Sequence, residues 1–325
     1  MRVVLVVSGL LVVSVALGIA LGHGSLADAT LRGAFLELRG VRMVCAGLAG
    51  AALAVAGVLM QGLFRNPLAS PSVLGTSAGA ALGGQVVLLG YGALSSWLPA
   101  WLVPEMLLPL GCLTGAALAL LLLLGVVERV LRGGGDAMIA VLLTGFLLGS
   151  AFAAVGALVT WMGQSSWEIG RTLVAFTLGG VDGKGLRHIA LAAPLVMIGC
   201  AAAWVWGRHL DLLLAGEDEA AALGVDVRAA RGWILVWTAV LTAAATAIGG
   251  GVAFVGLIVP HALRPFTGVS HRRLIPVAAL GGAAFLIVCD ALCRIAPGGE
   301  LPLGVVTGLI GAPVFIALVL RLHRS

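Results

Sequence analysis

A succession of long apolar runs dominates this sequence, at about 3–21, 43–62, 72–90, 105–127, 137–160, 189–207, 233–248, 252–265, 274–293 and 303–320. A helix of about 20 apolar residues crosses the ~30 Å hydrocarbon core of a bilayer and satisfies its own backbone hydrogen bonds on the way. With 61% apolar and 10% charged residues, no water-soluble fold has enough interior to hide this much hydrocarbon. Disorder, a secreted disulfide scaffold and a cytosolic enzyme are excluded. The fold class is all-α: a polytopic membrane protein of about ten transmembrane helices, forming one domain over 1–325 embedded in the lipid bilayer. The 48 glycines fit this reading, because small residues let helices approach closely where lipid removes the hydrophobic drive for association.

The first run follows Arg2 and ends near Ala27-Asp28-Ala29, a cleavage-like sequence. Its length exceeds the 7–15 residues typical of a signal-peptide core, so it reads as a retained span. Gly249-Gly250-Gly251 interrupts the stretch 233–265, which is either one kinked helix or two. Charge decides for two. With ten spans and a cytoplasmic amino terminus, seven of the 19 basic residues (Arg32, Arg39, Arg42, Arg171, Lys184, Arg187, Arg294) fall outside and the others inside. That agrees with the positive-inside rule, and fusing the two spans would reverse the bias.

Several chemistries find no residues to carry them. The basic residues are isolated and form no stripe for a nucleic-acid backbone. The five cysteines lie in or beside apolar runs and read as small buried hydrophobes. The six histidines lie near span ends without clustering, no catalytic or metal-ligating set is evident, and no cofactor is implied. Lys184, the only lysine, does not sit in a phosphate-binding loop, so ATP hydrolysis of that kind is not expected here. Asp290 is the main ionisable group within a span and is expected to pair with Arg294 one turn on. Scarcity of such groups argues against an ion-coupled carrier, the alternative class of transporter.

Three segments on the cytoplasmic side stand out. Gln61-Gly62-Leu63-Phe64-Arg65-Asn66-Pro67-Leu68-Ala69-Ser70-Pro71 is a rigid proline-bounded turn, fit for a gate or a contact surface. Leu214-Ala215-Gly216-Glu217-Asp218-Glu219-Ala220-Ala221-Ala222-Leu223-Gly224-Val225 reads as a short helix with an acidic start and a glycine stop. It could insert into a cleft of a cytoplasmic partner. Gly249 to His261 and Leu301 to Pro313 are glycine-rich, with Gly304, Gly308 and Ala312 at small-xxx-small spacing. Phe146, Trp161, Trp167 and Phe176 could contact a bulky ligand or form an aromatic belt.

Together, NPLASP, AGEDEAAALGV, AFVGLIVPH and ELPLGVVTGLIGAPVF resemble the permease subunits of ATP-binding-cassette (ABC) importers for iron-siderophores, haem and cobalamin, over about Leu38 to Leu320. The resemblance implies a homodimer in the bacterial inner membrane, with two ATPase subunits below it and a periplasmic substrate-binding protein above. The cargo would be a metal chelate, an iron-siderophore or haem, with cobalamin as the alternative. By the same resemblance, 215–229 is a coupling helix engaging the ATPase through Gly216, Glu217, Ala220, Leu223 and Gly224. Arg39, Arg42 and Arg294 would meet acids of the binding protein, although Gly40-Val41 stands where Leu-Pro is usual. Asn66, Leu68 and Asp136, the last in the 133–136 loop, would lie at the cytoplasmic gate.

Overall fold

The computed structural model describes residues 2–21, 32–94, 97, 99, 103–132, 137–296 and 299–322. Its helices are α1 (Arg2–Ala20), α2 (Arg32–Leu63), α3 (Thr76–Leu94), α4 (Pro104–Arg132), α5 (Ala137–Gly163), α6 (Trp167–Leu178), α7 (Leu186–Leu213), α8 (Glu217–Ala222), α9 (Val227–Gly249), α10 (Val255–Thr267), α11 (His271–Cys293) and α12 (Leu303–Leu322). Each of the ten expected spans falls on a helix of its own, although those expected at 72–90 and 252–265 begin before α3 and α10 do, and among the described residues eight helices are long and apolar enough to cross a membrane. The stretch 233–265 is two helices, because α9 stops at Gly249 and Gly250 takes φ 64°. The end of the bundle at which α1 begins is called the near end below, and the opposite end the far end.

Helix α2 forms the central post. Its buried residues are mostly Ala, Gly and Val, and α11, α9, α7 and α10 pack around it. Small residues there let backbones nearly touch. A Cβ on Gly50 would lie 2.1 Å from the Gly282 carbonyl oxygen, and one on Gly57 would lie 1.8 Å from that of Gly256. The α3–α4 pair repeats the device with Gly79 and Gly83 against Gly115 and Gly111. Dispersion between closely packed backbones holds such crossings together, since lipid competes for any apolar side chain.

Two helices, α6 and α10, are too short to run the full depth. Helix α6 was not anticipated in the sequence. It returns from the far end along α3, with Ile169 against Gly92 and Phe176 against Gly84. Helix α10 has 13 residues, about 20 Å at 1.5 Å per residue, and starts where Gly256 meets Gly57. Helix α12 starts where Gly304 meets the carbonyls of Gly251 and Leu178. The irregular strands of chain at these starts satisfy one another. Gly180 N donates to Gly249 O (2.9 Å), Gly251 N to Phe176 O (3.1 Å) and Leu303 N to Gly179 O (2.9 Å). Non-helical backbone at membrane depth is tolerated only when buried in protein in this way.

Phe254 has φ 66°, a left-handed conformation unusual for an aromatic residue. Its ring occupies the space in front of Gly311, where a Cβ would lie 2.4 Å from Cγ. The glycines of the last span thus have distinct duties. Gly304 and Gly311 admit neighbours from the same chain, whereas among the described residues nothing lies within 4 Å of a Cβ on Gly308.

Candidate functional site

At the near end, α2 ends in a turn built by Asn66. The Asn66 side chain accepts from Leu68 N at 2.9 Å, its carbonyl accepts from Ala69 N at 3.1 Å, and its own N–H donates to Gln61 O at 3.2 Å. This asparagine-built turn reverses the chain before a 3-10 turn at Pro71–Leu74, whose Gly75 has φ 72°. Asn66 and Leu68 are half-buried here, and Gln61 anchors the turn by donating to Leu257 O at 3.1 Å. Arg65 (φ 48°) donates to the Leu213 carbonyl, tying the turn to the end of α7. Asp136 lies outside the described residues, so only Asn66 and Leu68 of the expected gate set can be placed.

The expected segment 215–229 is not one helix. It is α8, then a turn at Leu223 and Gly224 (φ 84°), then the first residues of α9 capped by Asp226, whose Oδ1 accepts from Ala229 N at 2.9 Å. Gly216 enters α8 with φ 140°, a conformation that side chains resist. Ala220 is buried with Leu213, Val225 and Ala230, which fixes α8 on the stems of α7 and α9. Glu217 pairs with Arg231. The opposite face carries Asp218, Glu219 and Leu223, and Leu223 is 66% exposed. A large apolar side chain held out on a rigid small helix fits a contact with another protein.

The far end gathers the three expected arginines around one pocket of about 330 Å³, lined also by Phe35, Leu38, Asp182, Lys184 and Glu300. Arg42 is the hub. Its Nε donates to Asp290 Oδ1 at 2.7 Å, and its Nη1 contacts Glu300 at 2.8 Å and also Asp182. Asp290 therefore pairs more closely with Arg42 than with its expected partner Arg294, which stands 3.3 Å away. Arg39 is buried and donates to the Ile19 carbonyl of α1. These acids belong to the chain itself and hold Arg42 in place, with Asp290 also reaching Arg294. Half-exposed Asp182 is lifted to about 6 by partial burial, against the pull of Arg42, with the Glu300 carboxylate adding to the rise. Burial pushes the Lys184 ammonium down.

Beside this pocket lies a larger cavity of about 860 Å³, walled by α6, the segment 179–184 and residues 300–302. Trp167 and Phe176 line it, whereas Phe146 and Trp161 lie exposed on α5. Sequence reasoning missed the wall formed by α6 because its 12 residues are too few to register as a span. It also missed Asp211, whose carboxylate receives Ser270 and His271 (2.5–2.9 Å) and which no motif marks.

Short helices that end inside a bundle of membrane-length helices, with a cavity beside their junction, fit a multi-pass membrane transport subunit. The chain belongs to the FecCD transport family, whose sequence profile matches residues 1–321. It is 38% identical over 289 residues to the Fe(3+) dicitrate transport system permease protein of Escherichia coli (strain K12), covering 89% of this chain and 85% of that one. It is 39% identical to the vitamin B12 import system permease protein of Vibrio cholerae (89% and 83% covered). It is 35% identical to the hemin transport system permease protein of Yersinia pestis (88% and 83% covered). The fold matches an inward-facing putative metal-chelate type ABC transporter with a TM-score of 0.84, at 26% identity, over 98% of this chain and 99% of that one.

Proposed function

We propose that this chain is the permease subunit of a binding-protein-dependent ABC importer that moves a large metal chelate inward by ATP-driven alternating access. The observation that carries this reading is that permeases for ferric dicitrate, hemin and vitamin B12 match nearly the whole chain at 35–39% identity. The chain acts as a homodimer in the inner membrane, with both termini cytoplasmic, and the cargo path runs along the dimer axis. The near end is then the cytoplasmic end. Two separate ATPase subunits grip α8, and Gly216, Glu217, Ala220, Leu223 and Gly224 shape or present that contact. Asn66, Leu68 and Asp136 lie at the cytoplasmic gate. A periplasmic binding protein docks at the far end, its acidic side chains facing the pocket that Arg39, Arg42 and Arg294 line and competing there with Asp182 and Glu300, the chain's own more exposed partners of Arg42.

The mechanism follows from differential binding. Nucleotide-driven closure of the ATPases favours one arrangement of the spans only if contacts at α8 differ between arrangements. Iron chelates, siderophore or haem, are the cargo class we favour. Cobalamin is the second reading, favoured by the 39% identity to the vitamin B12 permease. Vesicles holding the assembled importer and offered haem, a ferric hydroxamate, ferric dicitrate or cobalamin are expected to accumulate one iron chelate. Accumulation of cobalamin alone would select the second reading.

The coupling role has its own test. Deleting Ala220–Gly224 removes the buried anchor Ala220 and the exposed Leu223. The ATPase is then expected to dissociate from the permease on size exclusion, and uptake to fall to background. Coupled uptake at wild-type rate would remove α8 from the account.

A further inference from the structure

Asp211 sits in the last turn of α7, five positions before Gly216, and its two carboxylate oxygens are both engaged by the start of α11. Oδ1 accepts from His271 N–H at 2.5 Å and lies 2.9 Å from His271 Nδ1, while Oδ2 accepts from the Ser270 hydroxyl at 2.9 Å. His271 is fully buried. The other edge of its ring rests on α2, where a Cβ on Gly62 would lie 2.7 Å from Nε2. Two residues beyond Asp211, the Leu213 carbonyl receives Arg65 from the Asn66 turn. The end of α7 is thereby fastened to α11, to α2 and to the gate turn at one level.

Helix α11 runs from this fastening to the far end, where Asp290 holds Arg42. Its 23 residues form a rod of about 34 Å. We infer that Asp211 is a positioning residue: it transmits displacement of α8 to α11, and through α11 links the ATPase contact to the binding-protein contact. Coupling between distant sites needs an element whose position both sites bias, and it is reciprocal. A single helix clamped to the α8 stem at one end and to the arginine pocket at the other meets that requirement. This inference rests on the proposed coupling role of α8.

The test uses the permease with its ATPase and binding protein in vesicles, offered whichever of haem, a ferric hydroxamate, ferric dicitrate or cobalamin the wild type takes up. Asp211→Ala is expected to lower chelate transported per ATP hydrolysed about tenfold, and to lower stimulation of hydrolysis by the binding protein similarly. Hydrolysis without binding protein stays within about twofold, because no ATPase contact is touched. Asp211→Asn keeps an acceptor for His271 and a partner for Ser270, and is expected to restore most of the coupling. Wild-type coupling in Asp211→Ala would overturn the inference, and so would equal loss in both variants, which would assign the effect to the charge. If Asp211→Ala does not assemble, Ser270→Ala with His271→Phe removes the side-chain bonds while keeping the carboxylate. That pair leaves only the His271 N–H bond to Asp211, so coupling is expected to fall partway toward the Asp211→Ala level, and coupling at the wild-type level would overturn the inference. The α8 deletion separates the two failures: if it releases the ATPase while Asp211→Ala remains coupled, only the clamp is wrong, and if it does not, the coupling role of α8 itself has failed.

Discussion

Arg42→Glu is expected to abolish uptake and to lower the melting temperature of the detergent-solubilised permease. The Arg42 side chain is only 15% exposed and answers three carboxylates at once, those of Asp182, Asp290 and Glu300. Removing one partner of a buried ion pair costs about 3–5 kcal/mol because the other charge is left uncompensated. Reversal goes further, placing a fourth carboxylate among three, one of which, Asp290, is 1% exposed. The damage spreads because these acids lie on α11, on the segment after α6 and on the segment before α12, so one guanidinium closes the far end. Arg42→Gln is expected to be milder, keeping a donor toward Asp290 but losing the charge. An Arg42→Glu permease that melts with the wild type and still binds its partner would refute the hub.

Gly57→Val should give the second large effect, a permease that does not accumulate in the membrane. Its Cβ would stand 1.8 Å from the Gly256 carbonyl oxygen and 2.5 Å from the carbonyl carbon. Those are backbone atoms at the start of α10, so no rotamer change relieves the clash and the helices must separate. Overpacking a core commonly costs about 1–3 kcal/mol, and separating α2 from α10 also strips the neighbouring bond from Gln61 to Leu257. Gly125→Ala is the matched control: among the described residues nothing lies within 4 Å of its added methyl, and it sits inside α4. It is expected to match the wild type or gain up to about 1 kcal/mol from helix propensity. Equal expression of Gly57→Val and Gly125→Ala, followed by fluorescence size exclusion, would show that the α2–α10 contact is not tight.

What could be read before the structure was the part written in length and repetition. Ten apolar runs placed ten helices, and the arginine asymmetry separated α9 from α10. The glycines announced close crossings without naming partners, because a partner is a tertiary fact: Gly50 needs Gly282 and Gly57 needs Gly256. Helix α6 escaped because a 12-residue helix that turns back inside the bundle has neither a span's length nor a loop's polarity. Arg39, Arg42 and Arg294 were identifiable as a set, yet their acids were not. Asp182 and Glu300 lie in segments with no periodicity, brought to Arg42 only by the ends of α6 and α12. Asp211 was equally silent, an isolated acid whose importance comes wholly from Ser270 and His271 across the bundle.

The most direct measurement is chelate accumulation in sealed vesicles containing this chain alone, the chain with its ATPase and binding protein, and that assembly with ATP withheld. The account predicts uphill accumulation only when ATPase, binding protein and ATP are all present. Accumulation by the chain alone, driven by an imposed proton or sodium gradient, would contradict it.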